Sequence, residues 1–193
     1  KLSTHLHCGK TKPQDIYKDW DIPVKSIALS DTLFKAIKTK TVATAFKELK
    51  PQHSTYVALK KSLALLNDLP EYKLKKISIK EKIELNDTLN EVISIKKHLA
   101  YWKDFRNKDS IINPIYDENT FSAIKKFQKR HGLKADGVIG NATIKALNYS
   151  KNERRQQVYA NLERWKWFPD NFGKEYLIIN LPDYSLNYVV NKD

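Results

Sequence analysis

Five polar side chains are concentrated in one short stretch of this 193-residue chain: Gln128, Arg130, Asp136, Asn141 and Thr143. They supply amides, a hydroxyl, one cation and one carboxylate. A shallow groove uses such a set to hold a ligand rich in amides and carboxylates. A helix opening at Asn141 would add free backbone N–H groups suited to a carboxylate. Each residue also has a purely local role to play, since Asp136 can shape a turn and Thr143 can satisfy its own helix end. No catalytic set is visible. The only cysteine, Cys8, lies far upstream in His5-Leu6-His7-Cys8-Gly9. His5, His7 and Cys8 could offer three zinc ligands, but such close spacing rarely closes a tetrahedron. The segment reads as a frayed terminus, with no metal and no cofactor expected.

The elements that must position the five residues follow from periodicity. Phe121, Ile124 and Phe127 recur at helical spacing, and Gly132 stands where that helix would close in the left-handed conformation. Asp136-Gly137 is a turn dipeptide, because Asp bonds its own backbone and Gly tolerates positive φ. Gly140 then leads into a short helix carrying Ile144 and Leu147. Upstream, Leu85, Leu89, Val92, Ile93 and Leu99 make an apolar stripe with Asp87 as its expected N-cap. Tyr101 and Trp102 close that first helix. A long segment from Lys103 to Asp117, containing Pro114, separates it from the second and could reshape one wall of a groove.

The spacing F-Q-x3-G-L-x2-D-G-x2-G-x2-T-x3-L runs from Phe127 to Leu147 and fixes nine positions. It resembles the signature of the small three-helix peptidoglycan-binding domains of bacterial cell-wall enzymes. The resemblance implies that residues 82–148 form such a domain. Its ligand would be peptidoglycan, through stem peptides or glycan, with the five polar residues beside the groove.

A second resemblance lies downstream. Asn161-Leu162-Glu163-Arg164-Trp165-Lys166-Trp167-Phe168-Pro169, followed by Tyr176 to Leu186, is similar to the junction in large periplasmic L,D-transpeptidases. There an N-L/M-E-R-x-R/K-W helix leads into the first strands of the catalytic β-domain. Ala45 to Pro51 and His53 to Leu66 look like that family's helical scaffold. The reaction implied is 3→3 cross-linking of stem peptides. A cysteine in an S/T-x-G-C segment, assisted by an upstream histidine, attacks a diaminopimelate-type carbonyl and forms an acyl-enzyme. No Cys or His follows Asn180 in this chain. The expectation is therefore an inactive front portion with no catalytic residues, ending soon after the first two strands. Trp165, Trp167 and Phe168 could stack on sugars. In the context of this family they read as the joint between scaffold and catalytic domain, with Glu163 and Arg164 as a packed ion pair or strut.

Composition agrees with a globular chain. The apolar share of 41% is close to ordinary usage and the charged share of 30% is slightly high. No stretch approaches the ~20 apolar residues of a spanning helix. Lys plus Arg number 35 against 22 Asp plus Glu, leaving +13. These cations are spread over nearly every segment and form no single stripe, so no specific nucleic-acid partner is expected. By itself the charge reads as a Lys-rich solvated surface; the resemblance implies wall and outer-membrane polymers, with carboxylates and phosphates, as what it would attract. The chain has no Met and begins at Lys1, which reads as a processed or trimmed start.

The expected fold is mainly α, a helical scaffold (1–81 and 149–170) with the three-helix domain (82–148) inserted. A C-terminal β-hairpin (171–193) would be the first strands of an incomplete β-rich catalytic domain. Residues Lys1 to Val24 read as irregular. Ser30 or Asp31 caps a helix through Ile37, a second spans Val42 to Leu49, and Ser54 caps a third carrying Tyr56, Leu59, Leu63 and Leu66. Lys73 to Ile83 reads as an extended linker, and Ser150 with Glu153 forms a capping box. The hairpin turns at Pro182-Asp183-Tyr184. The rival reading is a stand-alone wall-binding or adaptor protein of the cell envelope. Oligomeric state is left open.

Overall fold

The computed structural model describes residues 1–23, 25, 28–71, 73–105, 112–180 and 184–190. Among them are eight α-helices: α1 Leu2–His7, α2 Leu29–Lys38, α3 Val42–Glu48, α4 Ser54–Asp68, α5 Asn90–Tyr101, α6 Glu118–Arg130, α7 Asn141–Leu147 and α8 Lys151–Trp165. Strands β1 (Glu175–Asn180) and β2 (Ser185–Val190) form one antiparallel hairpin. The fold is mainly α with a short C-terminal hairpin, as the sequence predicts. Pro182 and Asp183 of the expected turn lie outside the described residues. No helix among the described residues is long and apolar enough to cross a membrane.

Two compact units divide the chain: Lys1–Pro70 with Asn152–Asp193, and Glu71–Lys151. The second interrupts the first in sequence. Glu71 to Glu81, expected with the scaffold as a linker, falls in the second unit, and two clamps explain why. The Asn148 side-chain amide accepts from the backbone N–H of Ile77 and donates to its carbonyl, both at 2.8 Å. Ile83 and Ile139 exchange backbone bonds at 3.0 and 3.1 Å. The apolar alternation of this segment thus serves as an edge strip of the domain, with Ile77 and Ile83 in its core. The hairpin, expected as a separate piece, groups with the first unit.

In the second unit Val92, Ile95 and Leu99 of α5, Ile124 and Phe127 of α6 and Leu147 of α7 are all fully buried. Each such side chain contributes roughly 1.5–3 kcal/mol on leaving water. Helix α5 starts later than the stripe predicts. Leu89 is extended at its N-cap with φ −143°, and Asp87 accepts from the Glu84 N–H at 2.7 Å, closing the preceding turn. Leu85 therefore lies in that turn and Leu89 at the N-cap, both ahead of the helix. Asp117 caps α6, accepting from the backbone N–H and the hydroxyl of Thr120 at 2.8 and 2.7 Å. The far end closes as expected at Gly132, φ +66°. There the Gly132 N–H donates to Lys129 and the Leu133 N–H to Gln128, a Schellman pair of bonds.

The first unit departs from expectation at its start. Residues 1–24, read as irregular, hold α1 and a 3-10 turn at Pro13–Asp15. The reason is tertiary: His7 is buried, with Nδ1 3.3 Å from the Leu49 carbonyl and Nε2 3.6 Å from Asp170. Helix α2 opens at Ala28 with no side-chain cap, so Ser30 and Asp31 sit inside its first turn. His53, one residue before the expected Ser54, is the N-cap of α4. Trp167 is 4% exposed and packs edge-on to Trp20, 5.6 Å between ring centroids. Glu163 pairs with Lys166 at 2.9 Å and accepts from the backbone N–H groups of Lys10 and Thr11. Arg164 bonds to Asn161 instead. Burial pushes the Glu163 carboxyl upward, but the bonds from Lys166 and the Lys10 backbone win and hold it below the ordinary value.

Candidate ligand-binding site

The five polar residues all lie in the second unit, and the structure sorts them by direction. Gln128 points inward and is 1% exposed. Its amide nitrogen donates to the Val138 carbonyl at 2.9 Å and to the Thr143 hydroxyl at 3.2 Å, and its oxygen accepts from the Gly137 N–H at 2.9 Å. One buried amide thereby satisfies a turn and a helix start that would otherwise carry unpaired polar groups. Thr143, 3% exposed, is the acceptor at the far end of this relay. Both are occupied in holding the fold.

Asp136 shapes the turn: its carboxylate accepts from the Val138 N–H at 3.0 Å and pairs with Lys134 at 3.3 Å. The Val138 N–H is the main reason its carboxyl is held below the ordinary aspartate value. The turn also depends on Gly137, at φ +82°, whose backbone runs against Phe121. A Cβ there would lie 2.1 Å from the Phe121 ring. Tyr116, fully buried, donates to the Gly137 carbonyl at 2.5 Å. Burial, with Asp136 and Asp117 nearby, pushes this phenol's pKa well up, so it stays a donor. Arg130 is half-exposed, paired with Asp104 and stacked over Phe127 at 5.8 Å. Asn141 lies exposed on the wall of a hollow.

That hollow, about 470 Å³, runs between Asn141 with Gly140 and the strip Ile79 to Lys82. A second, about 420 Å³, lies along the same strip, bordered by Asp87, Leu89 and Glu91. Both fall within the size range of small-ligand sites, about 300–1,000 Å³. Lys80 and Lys82 line both hollows and are exposed. They place two cations on either side of Glu81, on the hollow that Asn141 also lines. The lining thus mixes these cations and the Asn141 amide with the carboxylates of Glu81, Asp87 and Glu91. Sequence reasoning missed Lys80 and Lys82 because the segment resembled a linker. The available signal was the apolar alternation of Leu74, Ile77 and Ile79, which marks a strip packed against something.

Residues 88–147 match the family model described as “Putative peptidoglycan binding domain”. The matched span covers α5, α6 and α7 together with the Gln128-braced turn. This peptidoglycan-binding module supports the cell wall as the chain's partner and the cell envelope as its location. Residues 1–63 match the model described as “Scaffold domain”, which covers α1 to α3 and most of α4. No curated protein matches the chain.

Proposed function

We propose that the chain binds peptidoglycan through the module and presents it, in the periplasm, to an L,D-transpeptidase reaction in cell-wall cross-linking. The observation that carries this reading is the match over residues 88–147 on a unit whose open hollows are edged by Lys80, Lys82 and Asn141. Stem-peptide carboxylates meet the two lysines, and a stem amide meets Asn141. Arg130, reached from solvent beside Asp104, is a further contact for a carboxylate. Gln128, Asp136 and Thr143 act one step back, holding the turn that positions Asn141. The Scaffold match, preceding the module as in large L,D-transpeptidases, supports the second half of the proposal.

The chain itself is read as inactive. Cys8 is half-buried and donates to the Lys25 carbonyl at 3.7 Å. Burial pushes its thiol pKa up, against the smaller pull of Lys25, so the thiolate needed for acyl transfer is disfavoured. Sedimentation with purified sacculi tests the binding role. The full chain is expected in the pellet at low salt, and the pair Lys80→Glu with Lys82→Glu is expected to weaken retention by about tenfold or more. Asn141→Ala is expected to weaken it less. Retention that ignores all three changes would remove this groove from the site. Intact mass after carbapenem exposure is expected to show no adduct, and an adduct on Cys8 would overturn the reading of inactivity.

A further inference from the structure

The first unit has a hollow of its own, about 470 Å³, beside the first turn of α4, the loop after α8 and strand β1. One side is aromatic. The rings of Trp165, His53, Phe172 and Tyr176 follow one another at centroid separations of 5.2, 5.0 and 5.1 Å, tilted by 45°, 36° and 36°. His53 is fixed in this row by its Nε2 contact to the Pro169 carbonyl at 2.8 Å. Trp165 is half-buried, whereas Trp167, two residues on, is the buried core residue. So the sequence cluster splits into a structural tryptophan and one that faces a hollow.

Beyond the rings, Ile178 and Val189 of the hairpin add apolar surface, and the other lining residues, Gln52, Ser54, Thr55, Asp170 and Asn171, are polar with a single charge among them. Ser54 and Thr55 contribute exposed hydroxyls. Asp170 is the one carboxylate among the lining residues, and it is already paired with Lys25 at 2.5 Å and His7 at 3.6 Å. Among the described residues, no Lys or Arg lines the hollow to receive an anion. A row of aromatic rings, two neutral hydroxyls and one carboxylate already paired describe a site for a ligand with a flat apolar face edged by hydroxyls or amides. A pyranose ring has that form, because its axial C–H groups make one face apolar. An anionic peptide does not.

We propose that this hollow is a glycan subsite that takes a neutral hexosamine ring, stacked on Trp165 and Phe172 with hydroxyl or acetamide bonds to Ser54 and Thr55. It shares no residue with the groove at Lys80, Lys82 and Asn141, and it would give the first unit a hold on sugar that the second unit's lysines do not provide.

Titration of the full chain with chitotetraose tests it, read by saturation-transfer NMR and tryptophan fluorescence. The expected result is saturable binding with transfer to the sugar ring protons. Thr55→Leu and Trp165→Leu are each expected to weaken binding about tenfold or more. Lys80→Glu with Lys82→Glu should leave it unchanged, which separates this site from the module. Thr55 is exposed in the first turn of α4, so Thr55→Leu keeps its melting temperature and decides the question if Trp165→Leu fails to fold. No saturable transfer, or binding that survives Thr55→Leu, overturns the subsite. Loss only in the double lysine variant does so too, by assigning the sugar to the module.

Discussion

At the residue scale, the turn at Gly137 shows how little freedom the module leaves its motif. Positive φ and the ring of Phe121 act on one atom position: a Cβ there meets the ring at 2.1 Å. Gly137→Val is expected to cost about 3 kcal/mol or more, combining backbone strain with overpacking. Urea unfolding of the variant checks this. His98 gives the second residue-scale prediction. It is 2% exposed, its Nδ1 bonds the Ser94 carbonyl at 2.9 Å, and its Nε2 has no partner among the described residues. Burial lowers its pKa. Between the lowered value and the ordinary ~6.5, the unfolded chain binds more protons than the folded one, so stability rises with pH. The contribution is complete above ~6.5 and is lost as pH falls toward the folded value. Melting followed from pH 7 to pH 5 should therefore show the second unit weakening, with the slope reduced in His98→Leu.

At the element scale, the joint between α5 and α6 is an ion pair rather than an apolar seam alone. Lys96 of α5 is fully buried, with Nζ 2.7 Å from Asp117 and 2.8 Å from Asn113. Asp117 also caps α6, so one carboxylate neutralises a buried cation and starts a helix. Burial raises its pKa, but the bonds from Lys96 and Thr120 outweigh that and leave it lowered. Asp117→Ala removes both functions and is expected to cost about 3 kcal/mol or more, since it strips a buried charge of its counter-ion. Asp117→Asn keeps the cap and should cost less, about 1–2 kcal/mol. Thermal melts of the pair check the order. Neither partner stands out in the sequence, where Lys96 looks like one surface lysine among many.

At the scale of the whole molecule, the two units are unequally built. The continuous apolar cluster from Ile77 to Leu147 lies wholly in the second unit. The first relies on scattered buried residues such as Ala36, Leu49, Tyr56 and Trp167 and on an aromatic row. Its hairpin leaves Leu177, Ile179, Leu186 and Tyr188 each about 60% exposed. Local stability follows buried apolar contacts. Amide exchange is expected to be fastest in 1–70 and 152–190 and slowest in α5 and α6, and heating should unfold the first unit before the second. Equal protection across the two units would contradict this.

The mainly helical fold, the C-terminal hairpin and the existence of the module were legible in the sequence. Their signals are local: 3.6-residue periodicity at Phe121, Ile124 and Phe127, a left-handed glycine at Gly132, a turn dipeptide at Asp136-Gly137 and the β-branched pair Ile178 and Ile179 in a short apolar run. Each depends only on residues a few positions apart. The direction of Gln128 was not legible. An amide reads the same in a groove or in a core, and only the approach of Gly137, Val138 and Thr143 makes it a brace. Nor could spacing bring Asn148 to Ile77, Glu163 to Lys10, or His53 between Trp165 and Phe172. Those contacts join residues scores to more than a hundred positions apart, so local preference carries no information about them, and packing alone decides which polar groups remain to meet a ligand.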